Sequence, residues 1–113
     1  MGNRRERSKP AYNLDEAKLL VASGHLMVTR RPRDFIANRC GRYDTGRFMA
    51  ELFADVQPSN FYKSEALDKF PGRWGDIYRH VEHDGDEWYV KFFIDGDQMK
   101  VAVLSASWDG YIH

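Results

Sequence analysis

Rings stand beside cations repeatedly in this chain: Tyr62-Lys63 in NFYKS, Arg73-Trp74 and Tyr78-Arg79 in RWGDIYRH, and Tyr89 with Lys91 in YVK. Aromatic faces stack on unpaired bases and Lys or Arg meets phosphate, so such a set points to RNA handled in single-stranded form. Lys63 suits a phosphate contact or an acid. Tyr89 and Lys91, two apart on a strand, share a face and suit gripping or protonating a phosphate. A plainer role fits the same residues, because half-buried rings and solvated cations in cross-strand charge pairs are ordinary surface chemistry. Other chemistries find less to work with. His80 and His83 on a strand send their rings to opposite faces and so do not chelate one ion, and the acidic residues at 84, 86, 87, 95 and 97 fall on turns. With no nucleophile elbow, Gly-rich phosphate loop or Ser-His-Asp set, neither a metal nor a cofactor is expected.

The elements that must position these residues read as an α+β domain over 1–113, helices first and then an antiparallel meander. Residues 1–10 are basic, end in Pro10 and form an arm, mobile or extended. Asn13 is placed to cap a helix from Leu14, with Asp15 and Glu16 in its first turn, Ala17, Leu20 and Val21 along its stripe, and Ser23-Gly24 at its end. HLMVT at 25–29 reads as a short strand, and RDFIANRC as one or two helical turns after Pro32. Phe48, Leu52 and Val56, with Met49 and Phe53, recur at helical spacing over about Thr45 to Val56. Pro58 and Ser59 open a further helical turn, expected to present Phe61, Tyr62 and Lys63. Strands follow over Trp74–Glu82, Glu87–Ile94 and Gln98–Leu104, separated by the hairpin signals Asp84-Gly85 and Asp95-Gly96. Trp88, Val90, Phe92 and Ile94 make the core face of the middle strand, so Tyr89 and Lys91 point away from it.

At 113 residues the chain suits one modest core, and its formal net charge of zero hides an asymmetry. Residues 1–47 carry eleven Lys+Arg against five Asp+Glu, and residues 48–113 six against twelve. A basic N-terminal half attracts phosphate by its local field, or else the two halves face each other across the fold. The single cysteine, Cys40, forms no internal disulfide, no apolar run approaches membrane-spanning length, and MGNRRERSKP lacks the apolar stretch of a signal peptide. A cytoplasmic protein away from membranes is expected.

In order and spacing the segments KLLVASGHLMVTR, MAELFADVQPSNFYKS, RWGDIY, YVK and LSASWDG resemble the motility quorum-sensing regulator (MqsR) family of toxins from type II toxin–antitoxin systems. FYKS followed by W-x-D-[IV]-Y carries most of the specificity. The resemblance implies a compact fold similar to RelE-type toxins, with helices on a mainly antiparallel sheet. It also implies a metal-independent endoribonuclease that cuts mRNA and halts growth, and a cognate antitoxin that neutralises it. Carried over singly, the family's catalytic residues fall on Lys63 and Tyr89. A family glutamine falls on Gly75 and a terminal lysine on Ser107. Tyr62, Arg73, Trp74, Tyr78, Arg79 and Lys91 are then the candidates for binding substrate. In this chemistry the RNA's own 2′-hydroxyl attacks, so the protein needs a base, an acid and cations around the phosphorane. Lys63 fits proton transfer if burial or cationic neighbours lower it toward neutrality. Gly75 and Ser107 also keep open a second reading, a catalytically weakened protein of the same fold that holds RNA or an antitoxin-like partner.

Overall fold

A computed structural model of the chain describes residues 5–111. Its elements in chain order are β1 (Glu6–Arg7), α1 (Leu14–Ala22), β2 (Leu26–Val28), α2 (Arg30–Cys40), α3 (Thr45–Asp55), β3 (Phe61–Ala66), β4 (Trp74–His83), β5 (Asp86–Asp95) and β6 (Lys100–Trp108). The strands form one six-stranded sheet in the order β1-β3-β4-β5-β6-β2. Every pairing is antiparallel except β2 with β6. This is the α+β architecture of helices on a mainly antiparallel sheet expected from the sequence, consistent with a RelE-type toxin fold. Among the described residues no helix is long and apolar enough to cross a membrane.

Local chemistry sets most boundaries. Asn13 accepts a hydrogen bond from the Glu16 N–H at 2.9 Å and caps α1. The helix after β2 is longer than the one or two turns expected: α2 runs through Arg30–Cys40 because Pro32 sits in its first turn, where a missing N–H is harmless, and Gly41 closes it with φ 64°. Asp84 and Gly85 both take positive φ, 50° and 82°, the geometry a tight two-residue hairpin demands. At the next hairpin Asp95 accepts from the Asp97 and Gln98 N–H groups, so the turn lengthens and β6 begins at Lys100 and not at Gln98.

The expected helical turn does form over Pro58–Asn60, but it stops there, and Phe61–Ala66 is a strand. FYKS therefore lies in the sheet beside β4. Of the basic arm, Glu6–Arg7 is an extended edge strand on β3, with Glu6 opposite Glu65 and Arg7 opposite Ser64.

The three helices cover one face of the sheet. Their apolar stripes (Ala17 and Val21; Phe35 and Ile36; Phe48, Met49, Leu52 and Phe53) meet Tyr78, Val81, Trp88, Val90, Phe92, Val101 and Val103 in the main core. The other face holds only a small cluster of Leu67, Phe93 and Ala102 and is otherwise open. Beneath the main core, Asp76 is 0% exposed and accepts from the Ala11 and Tyr12 N–H groups at 3.0 Å each. Burial pushes its pKa up, and those two bonds together with one from Ser64 oppose the shift. Removing the carboxylate leaves both N–H groups without their acceptor. Asp76→Ala is therefore expected to lower stability by about 2 kcal/mol in urea unfolding and to speed amide exchange at Ala11 and Tyr12.

Candidate functional site

On the open face the family-like motifs lie on four successive strands: FYKS on β3, RWGDIY on β4, YVK on β5 and LSASW on β6. Register places Lys63 opposite Ile77, Ile77 opposite Lys91, and Lys91 opposite Ser105. One row therefore carries both lysines. Glu65, two residues beyond Lys63 on the same strand face, joins them: its carboxylate lies 2.5 Å from the Lys91 Nζ and 3.7 Å from the Lys63 Nζ. Glu6 from the edge strand adds a direct ion pair to Lys63.

Two bulges shape the rest of the face. Between Phe61 and Lys63 the β3–β4 register slips, and Tyr62 is turned outward, 52% exposed. The Lys63 Nζ and the Arg79 guanidinium each lie 5.3 Å from its ring centre. A second slip between Tyr78 and Val81 makes His80 an extra residue with φ 57°. Its N–H and the Arg79 side chain both donate to Asp109 just past β6, at 2.8 Å and 2.6 Å. Burial would raise the Asp109 pKa, but those bonds hold it below the usual carboxylate range.

Tyr89 sits half-buried among these groups. Burial first, then the Glu65 charge, push its hydroxyl pKa up, and Lys63 and Arg79 offset only part of that. Tyr89 is thus held as a neutral phenol at physiological pH. Lys63 moves opposite to the expectation of a lowered lysine: the Glu6 carboxylate hydrogen-bonded to it raises its pKa. It is a fixed ammonium, fit to stabilise charge or give a proton and unfit to serve as a base near neutrality.

Five sequence-predicted residues, Tyr62, Lys63, Arg79, Tyr89 and Lys91, are brought to this face. Three are not. Tyr78 is 1% exposed, stacked on Phe92 at 5.9 Å inside the core, with its hydroxyl pKa pushed up to about 12 by burial. Trp74 alternates with it onto the helix-side face, where the Arg7 guanidinium lies 3.8 Å above its ring. Arg73 is drawn to the distant hairpin, 3.7 Å from Asp95 and 5.3 Å from the Phe93 ring centre. The carboxylates Glu6, Glu65 and Asp109 were not among the expected site residues. Glu65 was within reach, since a lysine and a carboxylate two apart share a face once FYKSEA is read as a strand.

Motif residues around the site have structural work. Ser64 is buried with its hydroxyl 3.3 Å from the Gly75 carbonyl, and Asp76 carries the bonds described above. Ser107, opposite Tyr89, is 1% exposed, so a lysine there would have to displace its cover. His80 and His83 take separate partners, Glu87 and Asp55, at 3.0 Å and 2.7 Å. Among the described residues no group of His, Cys, Asp and Glu is arranged to hold a metal ion.

The motif strands thus converge on one open face holding three cations, a neutral phenol and a carboxylate between two lysines. Comparison with protein families matches residues 9–105 to the model described as "Motility quorum-sensing regulator, toxin of MqsA". The chain belongs to this family and is by that membership a toxin of a toxin–antitoxin system. Comparison with curated proteins finds no match.

Gly75 has a steric reason to lack a side chain. A Cβ there would lie 2.8 Å from the Leu67 Cδ2 and 3.2 Å from the Lys91 Cε. Placing there the glutamine that the family resemblance implies is therefore expected to disturb the face. Gly75→Gln should cost about 1–3 kcal/mol in chemical unfolding through overpacking, with Gly75→Ala at the low end of that range.

Proposed function

We propose that this toxin is a metal-independent endoribonuclease that cleaves single-stranded mRNA in the cytoplasm, and that a cognate antitoxin neutralises it. One observation carries the reading: the Lys63–Glu65–Lys91 row beside Tyr89 and Arg79 offers a base, an acid and cations within one patch. A phosphate entering the row replaces Glu65 on the two ammonium groups and so releases its carboxylate. Glu65 takes the 2′-hydroxyl proton as the 2′-oxygen attacks phosphorus; the 5′-oxygen leaves with the proton of Tyr89. Lys63, Lys91 and Arg79 balance the charge of the phosphorane between these events. The products are a 2′,3′-cyclic phosphate and a 5′-hydroxyl end. Tyr62, ringed by two cations and exposed, is suited to stack a base.

The buried Ser107 and the bare Gly75 favour a second reading, a protein that binds RNA or its antitoxin with weak or no cleavage. One experiment separates the two: purified protein, defined RNA, EDTA present and ends mapped. Cleavage to the ends named above is expected. Binding without cleavage would support the second reading. Tyr89→Phe is expected to lower the rate on the order of 10² to 10⁴ with RNA affinity within a few-fold, and Glu65→Gln to lower it by a similar factor. Because Lys63 and Tyr89 are both raised, they stay protonated where ordinary side chains titrate. Against an enzyme-free control, the rate should hold up to about pH 10, the usual value for these groups, and fall only beyond it.

A further inference from the structure

Lys91 and Ser105 also line a cleft of about 710 Å³, to which Asp34 and Asp68 contribute as well. Its walls are the first turn of α2 and the connection from β3 to β4, Leu67 to Phe70. Cations here are disposed differently from those on the row. Lys63, Lys91 and Arg79 each hold a carboxylate of the chain itself, whereas the side chains of Arg31 and Lys69, on α2 and on the β3–β4 connection, make no hydrogen bond or ion pair among the described residues. Arg30 is held only by a long 3.5 Å pair with Asp34 in the next turn. Phe70 is half-buried, packed on Phe93 at 5.1 Å, and leaves part of its ring to the cleft.

An uncompensated cation attracts a phosphate without first giving up a partner, and each phosphate neutralised releases counterions. We propose that this cleft is the track for the single-stranded RNA flanking the cut, with Arg31 and Lys69 on backbone phosphates and Phe70 beside a base. The inference rests on the ribonuclease reading for its starting point, since the track begins at the row that holds the scissile phosphate. It assigns the two sets of cations different tasks: those on the row act on the reacting phosphate, and those in the cleft act on its neighbours.

Binding tests this without requiring cleavage. A 5′-labelled, ten-nucleotide RNA with every 2′-position methylated cannot be cut by 2′-attack and is titrated against the full chain by fluorescence anisotropy over a range of salt. Arg31→Ala with Lys69→Ala is expected to weaken binding about tenfold at 0.1 M salt. It should also flatten the dependence of log K on log salt by about 1.4, roughly 0.7 for each lost phosphate contact. The swap Arg31→Lys with Lys69→Arg should restore most of both. An unchanged affinity, or a weaker one with an unchanged salt slope, overturns the proposal, as does a wild-type chain that binds no RNA. A double variant that loses antitoxin binding while RNA binding is untouched also overturns it and gives the cleft to the protein partner. Failure of the ribonuclease reading alone would appear as normal cleft-dependent binding with no cleavage of unmodified RNA.

Discussion

The buried carboxylate of Asp76 determines where the N-terminal segment goes. Its two oxygens hold the Ala11 and Tyr12 N–H groups against β4, and the Tyr12 hydroxyl donates to the Trp74 carbonyl at 2.7 Å in the same place. An anion is tolerated in that position only because it is satisfied by several donors at once. The segment so anchored leaves residues 6 and 7 alongside β3, and that places Glu6 on Lys63. A structural bond on one face of the sheet thus places the carboxylate that pairs with Lys63 on the other.

Local neutrality is the second theme of this face. Each cation on the row is balanced by a carboxylate of the same chain, in keeping with a molecule whose formal charge is zero. In the proposed ribonuclease, ligand binding there is an exchange of partners, and its strength depends on the difference between a phosphate and a carboxylate as acceptor. The basic and acidic halves face each other only in part. Arg5–Asp68 and Glu6–Lys63 cross between the halves, whereas Arg42 with Asp44 and Arg30 with Asp34 remain within the basic one.

Elements with strong local signals were legible. The Asn13 cap, the stripe of Phe48, Leu52 and Val56, and the Asp84-Gly85 turn each specify backbone geometry within a few residues. β3 was not, because the helical signal of Pro58 runs directly into it and the bulge at Tyr62 breaks the two-residue alternation that identifies a strand. Strand assignment also decides Tyr78. Beside Arg79 it looks like another ring-and-cation pair, but alternation with Asp76 and pairing with Val90 turn it into the core. The partners that fix the site's electrostatics lie far off in sequence, Glu6 57 positions from Lys63 and Asp109 30 from Arg79, and no local pattern reveals them.

The bare backbone at Gly75 lets the stem of Lys91 lie across β4, so that the space a side chain at 75 would need is filled by part of a lysine and a leucine. Two residues of different strands thus compete for one volume. Positions 67, 75 and 91 form a single steric unit, in which a larger residue at one position needs a smaller one at another. Transplanting side chains among members of this family one at a time would report the mismatch of that unit and not the worth of the residue moved.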